Sequence, residues 1–339
     1  MSIIKSINRK ILLPIIKKSS LAELVSFFSS KTNIILNYHG VVQNYDPSLT
    51  KNHLPLHQFE EQMNYFKKHF TILSTEEIFE SRITKSENKL KKCIAITFDD
   101  GYKNNLETAF PVLNSLNIPA TIFVTGQSVV NATLPLWYDV LDILNSQLSW
   151  PKLKDEIINT GLKNFNCSTF KDYGSFKNYI KYNTPEIKGS ILELLNKNAT
   201  LKTLFDQSNS EYWKLLNEMD LLTISKSKLI EIGSHGLTHS NLDKLNDVTL
   251  NHELIETKSL LENCIKKNVS SIAFPDGAYN QTVKDACRNA GYKRMLAVDL
   301  RIKTDLTDTD ILPRLSISNT TTSNVIIVTA NLSFFKIGF

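Results

Sequence analysis

The chain has 339 residues, of which 42% are hydrophobic, and it carries a formal net charge of +5 at pH 7. This length is ample for one catalytic domain with an insertion. Lysines are interleaved with Asp and Glu, so no basic patch of the kind that binds nucleic acid is evident, and no nucleic-acid partner is predicted. The four cysteines form no CxxC pair, which is typical of unpaired buried thiols in a reducing compartment.

The N-terminal segment combines a short apolar run with lysines. The run at residues 11–16 is interrupted by a proline, is shorter than the core of a secretory signal, and precedes no small-residue cleavage site. No segment reaches the roughly 20 apolar residues that span a bilayer. We therefore expect a cytoplasmic protein in which residues 1–33 form a helical segment. That segment either packs on the main domain or makes peripheral membrane contact through residues 1–18.

Strands and helices alternate over the first part of the chain. The predicted strands there are residues 34–38, 93–98 and 119–124. The predicted helices are residues 56–70, 74–80 and 105–116, and Ser74 is the expected N-cap of the second. This alternation implies parallel strands that are joined by right-handed crossovers.

Only helices are predicted between residues 131 and 217. We interpret residues 131–217 as a helical insertion in a catalytic domain that covers residues 34–320, with a C-terminal tail at residues 321–339. The predicted helices of the insertion begin at residue 136 and include residues 172–182, 185–196 and 210–217. Beyond it, the predicted elements are strands at residues 229–232, 269–274, 295–298 and 311–317 and helices at residues 246–266 and 282–290.

Two polar motifs follow apolar, strand-like runs. The first is Thr-Phe-Asp-Asp-Gly at residues 97–101, and the second is Ser-His-Gly-Leu-Thr-His at residues 234–239. Adjacent residues on a strand point to opposite faces, so the two aspartates share one site only if the chain bends, and the following glycine tolerates such a bend. His235 and His239 are four residues apart, and we expect them to share one face of a helical turn.

These motifs supply the donors of a catalytic metal site. Two imidazoles and one carboxylate leave coordination positions open for water and substrate, and the second carboxylate is free to take a proton from water. Each motif alone has an ordinary interpretation, since Asp-Asp-Gly is common in turns and His-x-x-x-His is common on polar helix faces. Because both follow strand ends, where α/β folds place catalytic groups, their combination indicates a hydrolytic metal site.

The two motifs together resemble those of the polysaccharide deacetylases, the NodB-homology enzymes of carbohydrate esterase family 4. Four further segments are similar to parts of that family: the flanking residues 109–113 and 118–124, the Asn-Tyr-His-Gly-Val at residues 37–41, the helix at residues 59–79, and residues 272–280 with their Phe-Pro-Asp-Gly. The resemblance covers roughly residues 34–130 and 218–318. It implies the α/β class, as a distorted (β/α) barrel of the NodB-homology type with a helical insertion.

The resemblance also implies a role for each residue of the two motifs. Asp99 would be the general base, and Asp100, His235 and His239 would be the ligands of a divalent metal ion. Zinc suits this donor set best, with Co²⁺, Fe²⁺ and Mn²⁺ as alternatives.

Three further site residues are assigned from the same resemblance and from the one family motif that this sequence lacks. The backbone N–H of Asp276 would help to hold the oxyanion, although its carboxylate is unfavourable there unless it points away or pairs with Arg314. Arg314 would orient and charge-balance Asp99. The family's C-terminal Leu-x-His, which supplies a general acid, has no match. His39 is the candidate for that role, and its alternative is a satisfied, partly buried histidine.

The implied enzyme is a metal-dependent hydrolase of carbon–nitrogen bonds other than peptide bonds. It would remove N-acetyl groups, or less favourably O-acetyl groups, from sugars of a bacterial cell-surface polysaccharide or of a lipid- or nucleotide-linked precursor. Aromatic residues of the insertion would either stack on sugar rings or pack in its own core; they are Trp137, Tyr138, Tyr212 and Trp213. Two alternatives stay open: a carbohydrate-binding protein with weak or no catalysis, and an amidohydrolase of small amides.

Overall fold

The structure, a computed structural model, describes residues 33–50, 52–84, 93–162 and 166–321. The predictions made for residues 1–33 and for the tail, including membrane contact through residues 1–18, fall almost wholly outside this range. Within the described residues, no helix combines the length and the apolar character needed to cross a bilayer. None of the four cysteines, all within the described residues, is in a disulfide bond; three are buried, whereas Cys264 is only partly buried.

Nine of the described strands form one sheet in which every pairing is parallel. Its members are β1 (Asn33–Tyr38), β4 (Thr71–Ile72), β5 (Cys93–Phe98), β6 (Ala120–Val124), β7 (Ile230–Ser234), β8 (Ser271–Ala273), β9 (Arg294–Ala297), β10 (Ile311–Pro313) and β11 (Leu315–Ser316). The order across the sheet is β10-β9-β8-β7-β6-β5-β1-β11, and β4 pairs with β5. Two short strands, β2 (Gly40–Val42) and β3 (His53–Pro55), form a separate parallel pair.

The last two strands bring the edges of the sheet together. β10 pairs with β9, and β11 pairs with β1 after a single intervening residue, Arg314. The sheet is therefore a nearly closed barrel with surrounding helices, and the predicted fold class is confirmed. One cluster of buried side chains includes Ile35, Ala95, Phe123 and Leu296, whereas their strand neighbours belong to the larger core that also contains the outer helices. Burial on both faces explains the near-continuous apolar sequence of these strands.

Seven helices of the described chain lie between or after the strands outside the insertion. They are α1 (Leu56–His69), α2 (Thr75–Ile83), α3 (Phe110–Leu116), α4 (Gly126–Asn131), α10 (Glu218–Ile224), α11 (Asp247–Ile265) and α12 (Gln281–Asn289). A capping box opens α2, because the Ser74 side chain accepts from the Glu77 N–H while the Glu77 carboxylate accepts from the Ser74 N–H. A π-helical turn at Asn105–Ala109 leads into α3.

The stretch between β6 and β7 carries five further helices with a core of their own. They are α5 (Trp137–Gln147), α6 (Trp150–Asn159), α7 (Tyr173–Lys181), α8 (Pro185–Lys197) and α9 (Ala199–Asp206). The prediction of a helix at residues 210–217 is wrong, because only Ser210–Tyr212 forms a helical turn. The backbone after this turn pairs with the segment that follows β5 instead. Leu215 forms an antiparallel bridge with Tyr102, and the Leu216 N–H donates to Gly101 O at 2.8 Å. The division into domains stays a prediction.

Candidate metal centre

All seven residues predicted for the site lie near one end of the barrel. Each follows the carboxyl end of a strand, and parallel strands bring these ends to the same rim. They are His39 after β1, Asp99 and Asp100 after β5, His235 and His239 after β7, Asp276 after β8 and Arg314 after β10. The topology therefore gathers side chains that are separated by up to 275 positions in the sequence.

The Asp-Asp-Gly turn is made by two consecutive residues in the left-handed region. The Asp99 N–H still pairs with β1, donating to Tyr38 O at 2.9 Å, but φ is then +76° at Asp100 and +72° at Gly101. A Cβ at Gly101 would lie 3.0 Å from a methyl group of Val124. The bend that glycine permits is thus present, and Asp100 itself shares the unusual backbone conformation.

The two histidines lie in a loop, and the prediction of a helical turn is wrong. Residues 235–240 contain no helix, and φ is positive at Gly236 and at His239. The cause is Glu253 of α11, whose carboxylate accepts from the backbone N–H of Leu237 at 2.6 Å and of Thr238 at 3.1 Å. Because these N–H groups are bound by a side chain, the loop folds around Glu253 instead of forming helical hydrogen bonds.

Asp100, His235 and His239 form a buried group with the donor set of a catalytic zinc site. Asp100 Oδ1 lies 3.4 Å from His235 Nε2 and 3.3 Å from His239 Nε2, and one ligand atom from each residue lies within 4.8 Å of the others. That oxygen accepts no hydrogen bond within the described residues. An unpaired buried carboxylate oxygen beside two imidazole nitrogens fits a divalent cation.

The tautomer of His235 is fixed by a hydrogen bond. Its Nδ1 lies 2.8 Å from the carbonyl oxygen of Ala273, so Nδ1 carries a proton and Nε2 faces the cluster. Burial opposes the charge of Asp100, but the imidazoles of His235 and His239 outweigh it and hold the pKa of Asp100 well below its ordinary value. The cluster is therefore ready to bind a cation with a charged carboxylate.

Asp99 is held beside the cluster by the predicted partner. Arg314 donates Nη1 to Asp99 Oδ1 at 2.6 Å and Nη2 to Oδ2 at 2.8 Å, and Asn37 Nδ2 donates to the same Oδ2 at 2.9 Å. Burial opposes the charged form, but Arg314 and His235 outweigh it, so the pKa of Asp99 is lowered. Asp99 Oδ2 lies 3.9 Å from His235 Nε2. A charged carboxylate thus stands next to the candidate metal position without belonging to the three-residue group.

Asp276 has a partner that the sequence analysis missed. Its Oδ1 lies 2.6 Å from Nζ of Lys181, at the end of α7, and it does not pair with Arg314, which is bound to Asp99. Burial opposes its charge, but His239 and Lys181 lower the pKa of Asp276. A second insertion lysine, Lys188, is buried near the same residues, and burial lowers its pKa to about 8.

A buried acid from the insertion also reaches the site. The Tyr102 hydroxyl, two residues after the aspartate pair, lies 3.0 and 3.1 Å from the carboxyl oxygens of Asp139 in α5. Burial, and then the charge of Asp100, raise the pKa of Asp139 well above its ordinary value. The sequence contains a signal for it, since Asp139 is the single charge in the otherwise apolar run of residues 136–141.

The remaining candidates divide between the core and the site. Trp137 and Tyr212 are buried, whereas Tyr138 packs edge-on against the His239 ring with centroids 5.1 Å apart. His39 follows β1 and contributes to the lowered pKa of both Asp99 and Asp100, although burial and other groups act more strongly. The assignment of His39 as general acid stays a prediction.

Comparison with known sequences identifies one family. The profile of the polysaccharide deacetylase family matches residues 86–171 and 167–295, which together cover more than half of the chain. YxkH of Bacillus subtilis (strain 168), whose name places it among the polysaccharide deacetylases, is 33% identical over 95 residues. That match covers 28% of this chain and 32% of YxkH, so the chain spans about a third of the length of this curated relative.

Solved structures of deacetylases have a similar fold. The Streptococcus pyogenes deacetylase PplD, in complex with acetate, has a TM-score of 0.56 and 17% identity and covers 89% of this chain and 99% of its own. BC0361, a polysaccharide deacetylase from Bacillus cereus, has a TM-score of 0.55 and 18% identity, with 89% and 69% coverage. IcaB from Ammonifex degensii has a TM-score of 0.54 and 14% identity, with 89% and 98% coverage. At these identities the likeness supports the barrel fold.

Removal of Arg314 is expected to leave a buried, uncompensated charge. We predict that Arg314→Met lowers the free energy of unfolding at neutral pH by about 3–5 kcal/mol, as measured by urea titration. The stabilising effect of the pair in the wild type is present above the unfolded pKa of about 3.9 and is lost as pH falls through the lower folded pKa. The double variant with Asp99→Asn should recover much of the loss; a double variant no more stable than Arg314→Met would contradict this account.

The effect of Asp139 on stability should change with pH in the opposite direction to that of the Arg314–Asp99 pair. Because the pKa of Asp139 is raised, the native state binds more protons than the unfolded state above about pH 4, so stability falls as pH rises. Asp139→Asn should therefore increase the free energy of unfolding by about 1 kcal/mol or more at neutral pH and change it little near pH 4. Urea titrations at both pH values measure this difference. A variant that is less stable than the wild type at neutral pH would show that Asp139 is charged in the native state.

Proposed function

Since the chain belongs to the polysaccharide deacetylase family, we propose that it is a metal-dependent hydrolase that removes N-acetyl groups from sugars. The observation that carries this proposal is the buried group of Asp100, His235 and His239, with the charged carboxylate of Asp99 fixed beside it. Two imidazoles and one carboxylate leave coordination positions open for water and substrate. When bound, zinc supplies Lewis-acid activation of a water molecule and of the acetyl carbonyl.

Asp99 is the proposed general base. Its low pKa keeps it charged at neutral pH, and the bonds from Arg314 and Asn37 fix both carboxylate oxygens, so it accepts the proton of the attacking water without reorienting. The backbone N–H of Asp276 is the proposed donor to the oxyanion of the tetrahedral intermediate. The ion pair with Lys181 supports this role, because it neutralises the side-chain charge that would otherwise oppose the oxyanion.

The products require a second proton transfer. Water adds its oxygen to the acetyl carbon, the carbon–nitrogen bond breaks, and acetate and a free amine leave. The amine takes up a proton as it departs, and we propose His39 as the donor, because it lies at the same end of the barrel and interacts electrostatically with Asp99 and Asp100. Protonation by solvent is the alternative that the absence of the family's C-terminal Leu-x-His leaves open.

The substrate class is proposed from the family. The substrate class is an acetylated sugar of a bacterial cell-surface polysaccharide or of its lipid- or nucleotide-linked precursor, with O-acetyl groups as a less favoured target. The proposed location is the cytoplasm, where residues 1–18 either pack on the main domain or make peripheral membrane contact. A binding protein without turnover is favoured only by the departures at Asp276 and at the missing histidine, whereas the assembled base and ligand set favours catalysis.

Acetate release tests this function directly. Chelator-stripped protein is incubated with N-acetylated and O-acetylated oligosaccharides, nucleotide- and lipid-linked amino sugars and small cyclic amides, with and without added zinc. We expect zinc-dependent acetate release from at least one N-acetyl sugar, and a loss of about 10³-fold or more in Asp99→Asn, because a general base and its electrostatic support are removed together. Glycan binding without release would favour the binding protein, and turnover of the small amides alone would favour the amidohydrolase.

A further inference from the structure

The two candidate histidine ligands are held by different means. His235 has its Nδ1 fixed by the carbonyl of Ala273, whereas Nδ1 of His239 is buried and has no hydrogen-bond partner among the described residues. His239 also has φ of +55°, a conformation that a residue with a side chain rarely adopts. Histidine ligands usually need a second partner to orient the ring, so something else must hold His239.

Lys188 contacts the backbone of this ligand. Its Nζ lies 3.5 Å from the carbonyl oxygen of His239 and 2.9 Å from Oδ1 of Asn241, and it stands 5.5 Å from the ring centroid of Trp137. Lys188 is only 3% exposed, and within the described residues it forms no ion pair. A buried ammonium without a direct counter-ion is costly, so its contacts point to a specific requirement at residues 239–241.

The insertion therefore contacts His239 from two of its helices. Lys188 comes from α8 and binds the backbone carbonyl, while Tyr138 comes from α5 and packs edge-on against the imidazole. Lys188 shares the buried face of α8 with Ile191 and Leu194, which belong to the core of the insertion. The position of its ammonium is thus set by the packing of the insertion.

We propose that Lys188 is a positioning residue, which stabilises the left-handed conformation of His239 so that Nε2 faces Asp100. This inference rests on the proposed metal site and goes beyond it, because it makes the helical insertion part of the metal centre. The ammonium acts through the carbonyl oxygen of His239, whose direction is set by the same backbone dihedral angles that orient the side chain.

The test compares Lys188→Met with Lys197→Met. Both substitutions remove a lysine from α8, but Lys197 is 47% exposed in its side chain and, among the residues that the structure describes, pairs only with Glu193 of the same helix. Zinc affinity is measured by competition with a chromophoric chelator, and unfolding is measured separately in EDTA. We expect Lys188→Met to weaken zinc binding about 10–100-fold, as loss of an outer-shell partner does, and Lys197→Met to leave it unchanged.

Stability separates positioning from a merely structural role. Lys188→Met removes the cost of burying an ammonium, and this offsets the loss of its hydrogen bonds to His239 O and Asn241 Oδ1. We therefore expect the metal-free variant to unfold no earlier than the wild type. The cobalt-substituted variant should also show an altered visible spectrum, since the ligand geometry changes. If Lys188→Met does not fold, Lys188→Gln takes its place in the same measurements, with the same expected weakening.

The outcomes distinguish this inference from the function on which it rests. The positioning role would be overturned if a folded Lys188 variant bound zinc with the same affinity as the wild type and had the same cobalt spectrum. That result would leave the proposed function intact. A wild type that binds no zinc would overturn both. Weaker binding in Lys188→Met, with an undiminished unfolding temperature in EDTA, would support the inference.

Discussion

Arg314 and Asp99 meet at the point where the barrel closes, and the rest of the site depends on their ion pair. Arg314 is the one residue between β10, which pairs with β9, and β11, which pairs with β1. Its guanidinium binds both oxygens of Asp99 and stands 5.3 Å from the ring centroid of Phe123. A carboxylate at 4% exposure is stable in its charged form only with such a partner. The residue between the two closing strands is therefore also the one that keeps the candidate base charged.

The candidate metal position lies beside this pair and is built by strained loops. Positive φ angles at Asp100, His239 and Asp276 occur within the three segments that follow β5, β7 and β8. Such conformations persist where surrounding contacts determine them, and here those contacts include the carboxylate of Glu253 and the ammonium of Lys188. Strain at the rim is thus compensated by buried charged groups of a helix and of the insertion.

The apolar period of the sequence predicts the longer strands and most helices, and the two local motifs supply Asp99, Asp100, His235 and His239. The other three residues at the rim, Asp276, Arg314 and His39, come from the family resemblance and its missing C-terminal histidine. The sequence does not predict how His235 and His239 share a site. Their spacing suggests a helical turn, whereas the loop is shaped by Glu253, which lies 14 residues after His239, and no local pattern reports such a hydrogen bond. The helix predicted at residues 210–217 fails for a similar reason, since its backbone pairs with the segment after Asp100.

The insertion is the part that sequence reasoning treats least well. Lys181 and Lys188 belong to no recognisable sequence motif. From the sequence alone, the carboxylate of Asp276 beside the proposed oxyanion position is unfavourable. The ion pair with Lys181 neutralises that charge. One signal was available: Lys188 falls at the buried spacing of α8, where an apolar residue is the ordinary occupant. A charged residue at a core position is a reason to look for a partner in the site.

An equilibrium zinc titration of Asp99→Asn and Asp100→Ala beside the wild type distinguishes the proposed base from the proposed ligand at the two adjacent aspartates. We expect the wild type and Asp99→Asn each to bind one zinc ion per chain, with affinities within about tenfold of each other. We expect the affinity of Asp100→Ala to be lower by about 100-fold or more. Equal loss in both variants, or full affinity in Asp100→Ala, would contradict the division of roles on which the site is built.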